Sequence, residues 1–249
     1  MKNQPSFDFK DHDEEGLLTL DAISGADNLN RWMYDTIRPY SGGRILEVGS
    51  GIGNISQFFL NDGYEITLSD IRENYCDILR KKFQSDPHFK EVILLDLVAI
   101  DFDTKYQRLL NSFDTVFALN VVEHIEDDQL ALRNAKKLLK TGGTLIILVP
   151  AYQALYNSFD RELFHFRRYT AAKLNRLFHA EKLLILRSFY FNASGIAGWF
   201  VSGKIQKNKI LPKGQVSFYN SLVPLFKIID RLLFNKIGLS VITIGKKQS

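Results

Sequence analysis

Hydrophobic positions along this chain follow two rhythms, and the switches between them mark its elements. Short, nearly continuous apolar runs occur at 45–48, 64–69, 91–95, 113–119, 144–149, 183–190 and 240–245. Runs of that length with no polar alternation suit strands covered on both faces of a sheet. Between them the apolar residues recur every three or four positions, as in Leu29, Trp32, Met33 and Ile37, or Leu130, Ala135, Leu138 and Leu139. That spacing predicts helices over 27–38, 74–83 and 127–140, with Asp27 as an N-cap, Pro39 beyond a stop, and Gly142-Gly143 as a left-handed C-terminal cap. Strand and helix in alternation predict an α/β, doubly wound, Rossmann-like sheet with helices on both faces, whose ligands lie at the carboxyl ends of the strands.

Two stretches break the alternation. Residues 1–26 are rich in acids and poor in aliphatics, which predicts a loose arm able to order over a ligand. Residues 191–239 separate the last two strands, and loops of that length are usually functional. The stretch begins glycine-rich and apolar around Trp199, continues with Lys204, Lys207, Lys209 and Lys213 without an acid, and then places Phe218, Leu222, Leu225, Ile229, Leu232 and Leu233 at helical spacing around Pro224, which is expected to kink or restart the helix. A lid over a substrate is the first reading; a homodimer face and a peripheral membrane contact stay open. No run approaches the roughly 18 apolar residues of a membrane span. The expected organisation is one domain over 1–249: an arm and helix to 39, a core over 40–190, the insertion over 191–239, and a last strand over 240–246.

Composition sharpens this picture in two places. Hydrophobic residues make up 45% of the 249, enough for a large core, and the single cysteine, Cys76, excludes an internal disulfide. With no charged-then-apolar leader at the start, a cytoplasmic protein is expected, with a membrane-peripheral placement open. The net charge of +4 hides an asymmetry: residues 1–160 hold 16 Lys+Arg against 25 Asp+Glu, and residues 161–249 hold 16 against 3. The basic part is either a solvated face or a surface that meets phosphate.

Candidate chemistry starts where the first strand ends. Glu47 is followed by Gly49, Gly51 and Gly53 and then by a helix-compatible segment. Glycines permit positive φ and close backbone approach, and free N–H groups at a helix start hold polar ligands. A dinucleotide fingerprint needs Gly or Ala where Asn54 stands. Asp70 ends the second strand, 21 residues after Gly49, where a carboxylate can accept from both ribose hydroxyls of an adenosine. Asp96 ends the third strand, with Leu97 beside it, and Asn120-Val121-Val122-Glu123-His124-Ile125 follows the fourth.

Taken together, these residues resemble the class I S-adenosylmethionine (SAM) dependent methyltransferases over about 40–190. The resemblance implies a seven-stranded sheet with an antiparallel last strand, SAM as cofactor, Asp96 and Leu97 at the adenine, and Asn120 toward the methionine end. Val121 and Val122 replace the prolines used by enzymes that methylate base amines, so no nucleic-acid partner is expected.

The aromatic segment 151–169 carries His165, Phe166, Arg167, Arg168 and Tyr169, which resembles an H-x-R-R-Y stretch of bacterial methyltransferases of this class, with Phe164 where a small residue is usual. His165, with His124 second, is the candidate base; Arg167, Arg168 and Tyr169 are candidates for binding an anionic substrate group. The alternative is that both arginines bridge to core acids and His165 only orders the loop. No metal is expected, because Glu123 and His124 have no further ligand at usable spacing. The resemblance implies methyl transfer to a small or lipid-linked, anionic acceptor, with oxygen favoured; a non-catalytic SAM-binding partner subunit is the alternative.

Overall fold

In the computed structural model, which describes residues 14–206 and 213–248, each apolar run becomes a strand of one seven-stranded sheet. The first half of the chain gives α1 (Glu14–Ser24), α2 (Asp27–Ile37), β1 (Ile45–Val48), α3 (Ser56–Asn61), β2 (Ile66–Asp70), α4 (Glu73–Phe83), β3 (Phe89–Leu94), α5 (Phe102–Lys105) and β4 (Phe113–Leu119). The second half gives α6 (Asp128–Leu138), β5 (Leu139–Pro150), α7 (Ser158–Glu162), α8 (Ala171–Ala180), β6 (Leu183–Phe191), α9 (Gly195–Trp199), α10 (Lys213–Leu232) and β7 (Ser240–Lys247). The strand order is β3-β2-β1-β4-β5-β7-β6. Strands β1 to β5 pair in parallel, and β7 runs antiparallel between β5 and β6. The expected Rossmann-like sheet with an antiparallel last strand is present.

Successive residues of β5 show how the core is divided. Leu145, Ile147 and Val149 point to one face, packed with Leu132, Leu138 and Phe178, whereas Ile146 and Leu148 point to the other, packed with Ile37, Phe59 and Phe117. All are essentially inaccessible, and each such side chain contributes about 1.5–3 kcal/mol of burial. Both faces are therefore dry, which fixes the strand ends and whatever they carry.

Three expectations are corrected. Helix α6 ends at Leu138, because Leu139 turns extended (ψ 140°) to pair with Phe113; Gly142, at φ +81°, lies within β5 and is not the helix cap. The arm is not loose throughout: 14–24 is helical, and the Leu20 carbonyl accepts from Asn54 Nδ2 at 3.1 Å, while 1–13 lie outside the described residues. Helix α2 packs on the core through Trp32, against Phe191, and Tyr34, against Phe59. Finally, α10 packs through Tyr219, Val223 and Phe226, whereas Phe218, Leu225 and Leu232 are exposed.

Helix α10 also runs unbroken through Pro224. Proline has no N–H, so the carbonyl of Asn220 one turn earlier loses its helical donor. Asn28 Nδ2 at the start of α2 supplies the replacement at 3.1 Å, and the Asn220 side chain in turn accepts from Leu29 N at 3.1 Å. The proline thereby becomes a docking point between the insertion and the N-terminal helices. Lys207 and Lys209, read as part of a basic stretch, lie outside the described residues.

Candidate active site

The carboxyl ends of β1 to β4 converge on one cavity of about 1190 Å³. Glu47, Gly49, Gly51, Asp70, Asp96, Leu97 and Asn120 all line it. Gly53 does not: at φ +78°, its missing side chain makes room for the Phe83 ring, so this glycine serves helix packing. Gly49, at φ +71°, is required for a similar reason, since a methyl there would overlap Val121 Cγ2. The glycines thus shape the turn against protein neighbours, and the turn then presents its N–H groups.

Those groups are tied to the acids. Gly51 N donates to Asp70 Oδ2 (3.0 Å) and Arg72 N to Asp70 Oδ1 (3.1 Å). Asp70 is only 5% exposed, and each oxygen keeps a lone pair on the cavity it lines. Burial pushes its pKa up, against those backbone bonds. Arg72, not Asp70, stands at the N-cap of α4. Glu47 is buried and accepts from Ser56 Oγ; burial raises its carboxyl to about 8 despite that bond. Asp96 is half-buried at the end of β3, its Oδ1 accepting from Val98 N at 2.8 Å, with buried Leu97 beside it. Asn120 adopts φ +55°, a conformation asparagine tolerates well, and its N–H is held by Leu148 O (2.9 Å).

At the far side of Asn120 stands a second group that the chain order conceals. Phe166 N donates to the Glu123 carbonyl (2.8 Å) and His165 N to the Asp160 carbonyl (2.8 Å), so segment 163–169 is pinned along the turn 122–124. This brings His165 beside His124, with ring centroids 4.6 Å apart and edge to face. Asp160, fully buried at the first turn of α7, accepts from His165 Nδ1 (2.8 Å), Arg168 Nε (2.8 Å) and Asn157 N (2.9 Å). Burial alone would raise the Asp160 carboxyl, but His165 and Arg168 outweigh it and hold it below the usual range. His165 therefore turns Nε2 away from the acid, and both histidines line the cavity. Burial, helped by the neighbouring His165, pushes His124 down to about 3, so its ring is neutral.

Glu123 completes the group. It is fully buried, and neither carboxylate oxygen has a hydrogen-bond partner among the described residues. Its own backbone amide and the charge of Arg168 only partly offset burial, which raises it to about 8. The expectation of no metal rested on the absence of a further ligand near Glu123 and His124 in sequence; the fold supplies His165 from another element. Ligand atoms of Glu123, His124 and His165 lie within 4.8 Å of one another.

The two arginines have partners already. Arg167 Nη1 is 2.9 Å from Asp128 Oδ2 and its Nη2 2.7 Å from the Glu126 carbonyl. Arg168 is 3% exposed, bound to Asp160 and the Ala151 carbonyl and laid over the Trp199 ring. Tyr169 is fully buried with its hydroxyl on Asp128 Oδ2 (2.9 Å). The bridging alternative describes these residues. Phe164 sits at φ +57°, which explains why a small residue is usual there. The rest of the cavity wall comes from the insertion: Trp199, Val201, Tyr219 and Leu222 among others, with Phe164, Phe166 and Phe218 at exposed edges. Asp160 escaped the sequence reading, although Asn157 three residues before it forms the reciprocal cap that a polar-x-x-acid pattern signals.

The sheet order, with β7 antiparallel between β5 and β6, is that of the Rossmann-like methyltransferase fold. Residues 46–145 match the family model described as "Methyltransferase domain". Over those residues the chain is similar to that family. Among curated relatives, a highly reducing polyketide synthase of Pyrenophora dematioidea is 31% identical over 116 residues, covering 42% of this chain and 4% of that protein. A lovastatin diketide synthase, mokB, of Monascus pilosus is 31% identical over 114 residues, again 42% and 4%. The match thus spans a small fraction of these relatives' length. Among solved structures, phosphoethanolamine N-methyltransferase 2 of Haemonchus contortus with S-adenosyl-L-methionine is 17% identical at a TM-score of 0.59, covering 89% of this chain and 53% of that one. A SAM-dependent methyltransferase from Archaeoglobus fulgidus is 17% identical at 0.56, covering 88% and 94%. The [4+2]-cyclase SpnF is 18% identical at 0.58, covering 89% and 80%, so the fold alone does not specify the acceptor.

Proposed function

We propose that this methyltransferase moves a methyl group to an oxygen of a small or lipid-linked, largely apolar acceptor. The observation that carries the reading is the continuity of the cavity, which joins the strand-end carboxylates to an apolar chamber walled by the insertion. At about 1190 Å³ it exceeds the roughly 300–1,000 Å³ that houses one drug-sized ligand, so cofactor and acceptor fit side by side. Exposed Phe164, Phe166, Val201 and Phe218 around it suit a hydrocarbon part better than a charged one. Among the described residues no helix is long and apolar enough to cross a membrane; a cytoplasmic protein that meets its acceptor at a membrane surface is the placement this reading favours.

Bound SAM supplies a methyl group on a positively charged sulfur. The residues' task is positioning. Asp70 would hold the ribose hydroxyls, Asp96 and Leu97 the adenine, and Glu47, the glycine turn and Asn120 the methionine part. The acceptor hydroxyl would sit by Glu123, His124 and His165. SAM held at the strand ends would supply the methyl group for the new C–O bond and would keep the S–C electron pair on its sulfur. The hydroxyl proton leaves to Nε2 of His165, whose ring Asp160 orients. Arg167 and Arg168 stay with Asp128 and Asp160 as structural ties.

The test is incubation of the protein with methyl-labelled SAM and either a lipid or an aqueous extract, alongside thermal unfolding with SAM on the wild type and Asp70→Ala. Label in an organic-extractable product, as a base-stable methyl ether or a base-labile methyl ester, with SAM stabilisation lost in Asp70→Ala, is the expected result. SAM stabilisation with no transfer to either extract would favour the non-catalytic partner subunit, and transfer confined to water-soluble amines would overturn the acceptor class.

A further inference from the structure

We infer that Glu123, His124 and His165 form a binding site for one divalent transition-metal ion, on which the acceptor oxygen is received. Three independent features converge. The first is the carboxylate itself: Glu123 is inaccessible to solvent, and both oxygens lack a partner among the described residues. A buried, unpaired carboxylate is among the costliest groups a fold can keep, and such groups are normally paired or ligated to a metal. Arg167 and Arg168, on the segment pinned against it, are held by Asp128 and Asp160.

The second feature is how the histidines are held. His165 Nδ1 is bound to Asp160 Oδ1 (2.8 Å), leaving Nε2 as the free ring nitrogen. His124 stands edge to face against that ring, centroids 4.6 Å apart. A carboxylate acceptor on the far nitrogen, as at His165, is the arrangement that orients metal-binding imidazoles and raises their basicity.

The third is geometry. The three ligand atoms already lie within 4.8 Å of one another. Metal–nitrogen and metal–oxygen bonds of about 2.0–2.2 Å would draw them together by on the order of 1–2 Å, which side-chain rotation can supply. Two histidines and one carboxylate occupy one side of an ion and leave positions open, the donor set of catalytic zinc and of non-haem iron(II) sites. All three residues line the cavity, so the open positions face the acceptor chamber.

The inference rests on the proposed acceptor site for its purpose, but not for the binding itself. With an ion seated, Nε2 of His165 is a ligand instead of a base, and the ion lowers the acceptor hydroxyl's pKa so that its proton passes to water. The methyl transfer balances as before.

The experiment is titration of EDTA-treated, dialysed full-length protein with Co2+, read by visible absorption, and with Zn2+ and Mn2+ by calorimetry. One ion per chain is expected. Glu123→Gln should weaken it at least 100-fold, and Asp160→Asn, which touches no ion, about 10–100-fold. Asp70→Asn should leave ion affinity unchanged while weakening SAM binding, which separates this site from the cofactor's and reports a folded protein. No stoichiometric binding, or binding indifferent to Glu123→Gln and His165→Gln in proteins that still bind SAM, would overturn the site. Methyl transfer that stops with EDTA and returns with one of the three ions supports the acceptor's place on the metal; transfer that ignores EDTA overturns that part. An ion bound by a protein that methylates nothing leaves the site standing and removes the acceptor reading.

Discussion

Replacing Asp160 by asparagine tests whether the buried acid holds the acceptor side of the cavity together. The carboxylate is fully buried and accepts three bonds, two of them from Arg168 and His165 at 2.8 Å. The amide keeps the shape but removes the charge that compensates Arg168, whose side chain is 1% exposed. Breaking one partner of such a pair costs about 3–5 kcal/mol, because the other is left charged and dry. For a chain of this size that is on the order of 10 °C in Tm. Adding Arg168→Met should recover most of the loss, since removing both charges is close to neutral. The pH dependence has a definite sign. A carboxyl held below its ordinary value contributes stability that is complete above the unfolded value near 4 and disappears as pH falls through the folded one. The wild type's advantage over Asp160→Asn should therefore shrink below about pH 4. Urea unfolding of the four proteins of the cycle, at pH 7 and pH 3.5, measures this directly. Losses that simply add in the double variant, or a single-variant loss under about 1 kcal/mol, would refute a buried, mutually dependent pair.

Other residues give further expectations. Gly49→Ala should destabilise by about 2–4 kcal/mol, from a left-handed alanine and overlap with Val121, and pairing it with Val121→Ala should return only the packing part by thermal unfolding. Glu47, raised to about 8, opposes folding increasingly as pH rises from its unfolded value near 4.5 toward 8; Glu47→Gln without SAM should thus gain on the wild type between pH 5 and 8 in denaturant titrations. Asn28→Ala should cost about 1 kcal/mol through the Asn220 carbonyl, and distinctly less in a Pro224→Ala background, where the helix regains its own donor.

What the sequence made legible follows from the range of the interactions involved. The strand-end groups Glu47, Asp70, Asp96 and Asn120 recur once per strand-helix unit, so periodicity and order place them on one edge before any contact is known. The turn at Gly49–Gly53 is equally local, although the space beside Gly53 is taken by the distant Phe83 ring. Legibility fails where an element's neighbour is distant in the chain. Nothing near Glu123 announces His165; the two meet because Phe166 N finds the Glu123 carbonyl and Asp160 fixes the ring. For the same reason the sequence left both readings of Arg167 and Arg168 open, since their partners Asp128 and Asp160 belong to separate helices. The face of α10 was misjudged because both of its sides are apolar, and periodicity alone cannot say which one packs.

The place of the insertion, by contrast, is forced by topology. Strand β6 runs toward the carboxyl edge of the sheet and ends at Phe191, which pairs with Ser240, the first residue of β7. Because β7 is antiparallel, Ser240 also pairs with Pro150, the last residue of β5. Both ends of the segment between β6 and β7 are thus pinned side by side at the edge where the other strands present Glu47, Asp70 and Asn120. Whatever length is inserted there must begin and end over the cofactor's end of the sheet, whatever its sequence. Its sequence then decides the chamber it encloses: Asp230 in α10 accepts from Asn192 N (2.6 Å) and Ala193 N (2.8 Å), folding the helix back over its own point of departure. Trp199, Tyr219 and Leu222 follow from that closure as an apolar wall opposite the carboxylates. On the proposed reading an acceptor admitted there would meet Glu123, His124 and His165 with its polar end and the insertion with the remainder, so changes in the insertion should alter which acceptor is taken while leaving SAM binding intact.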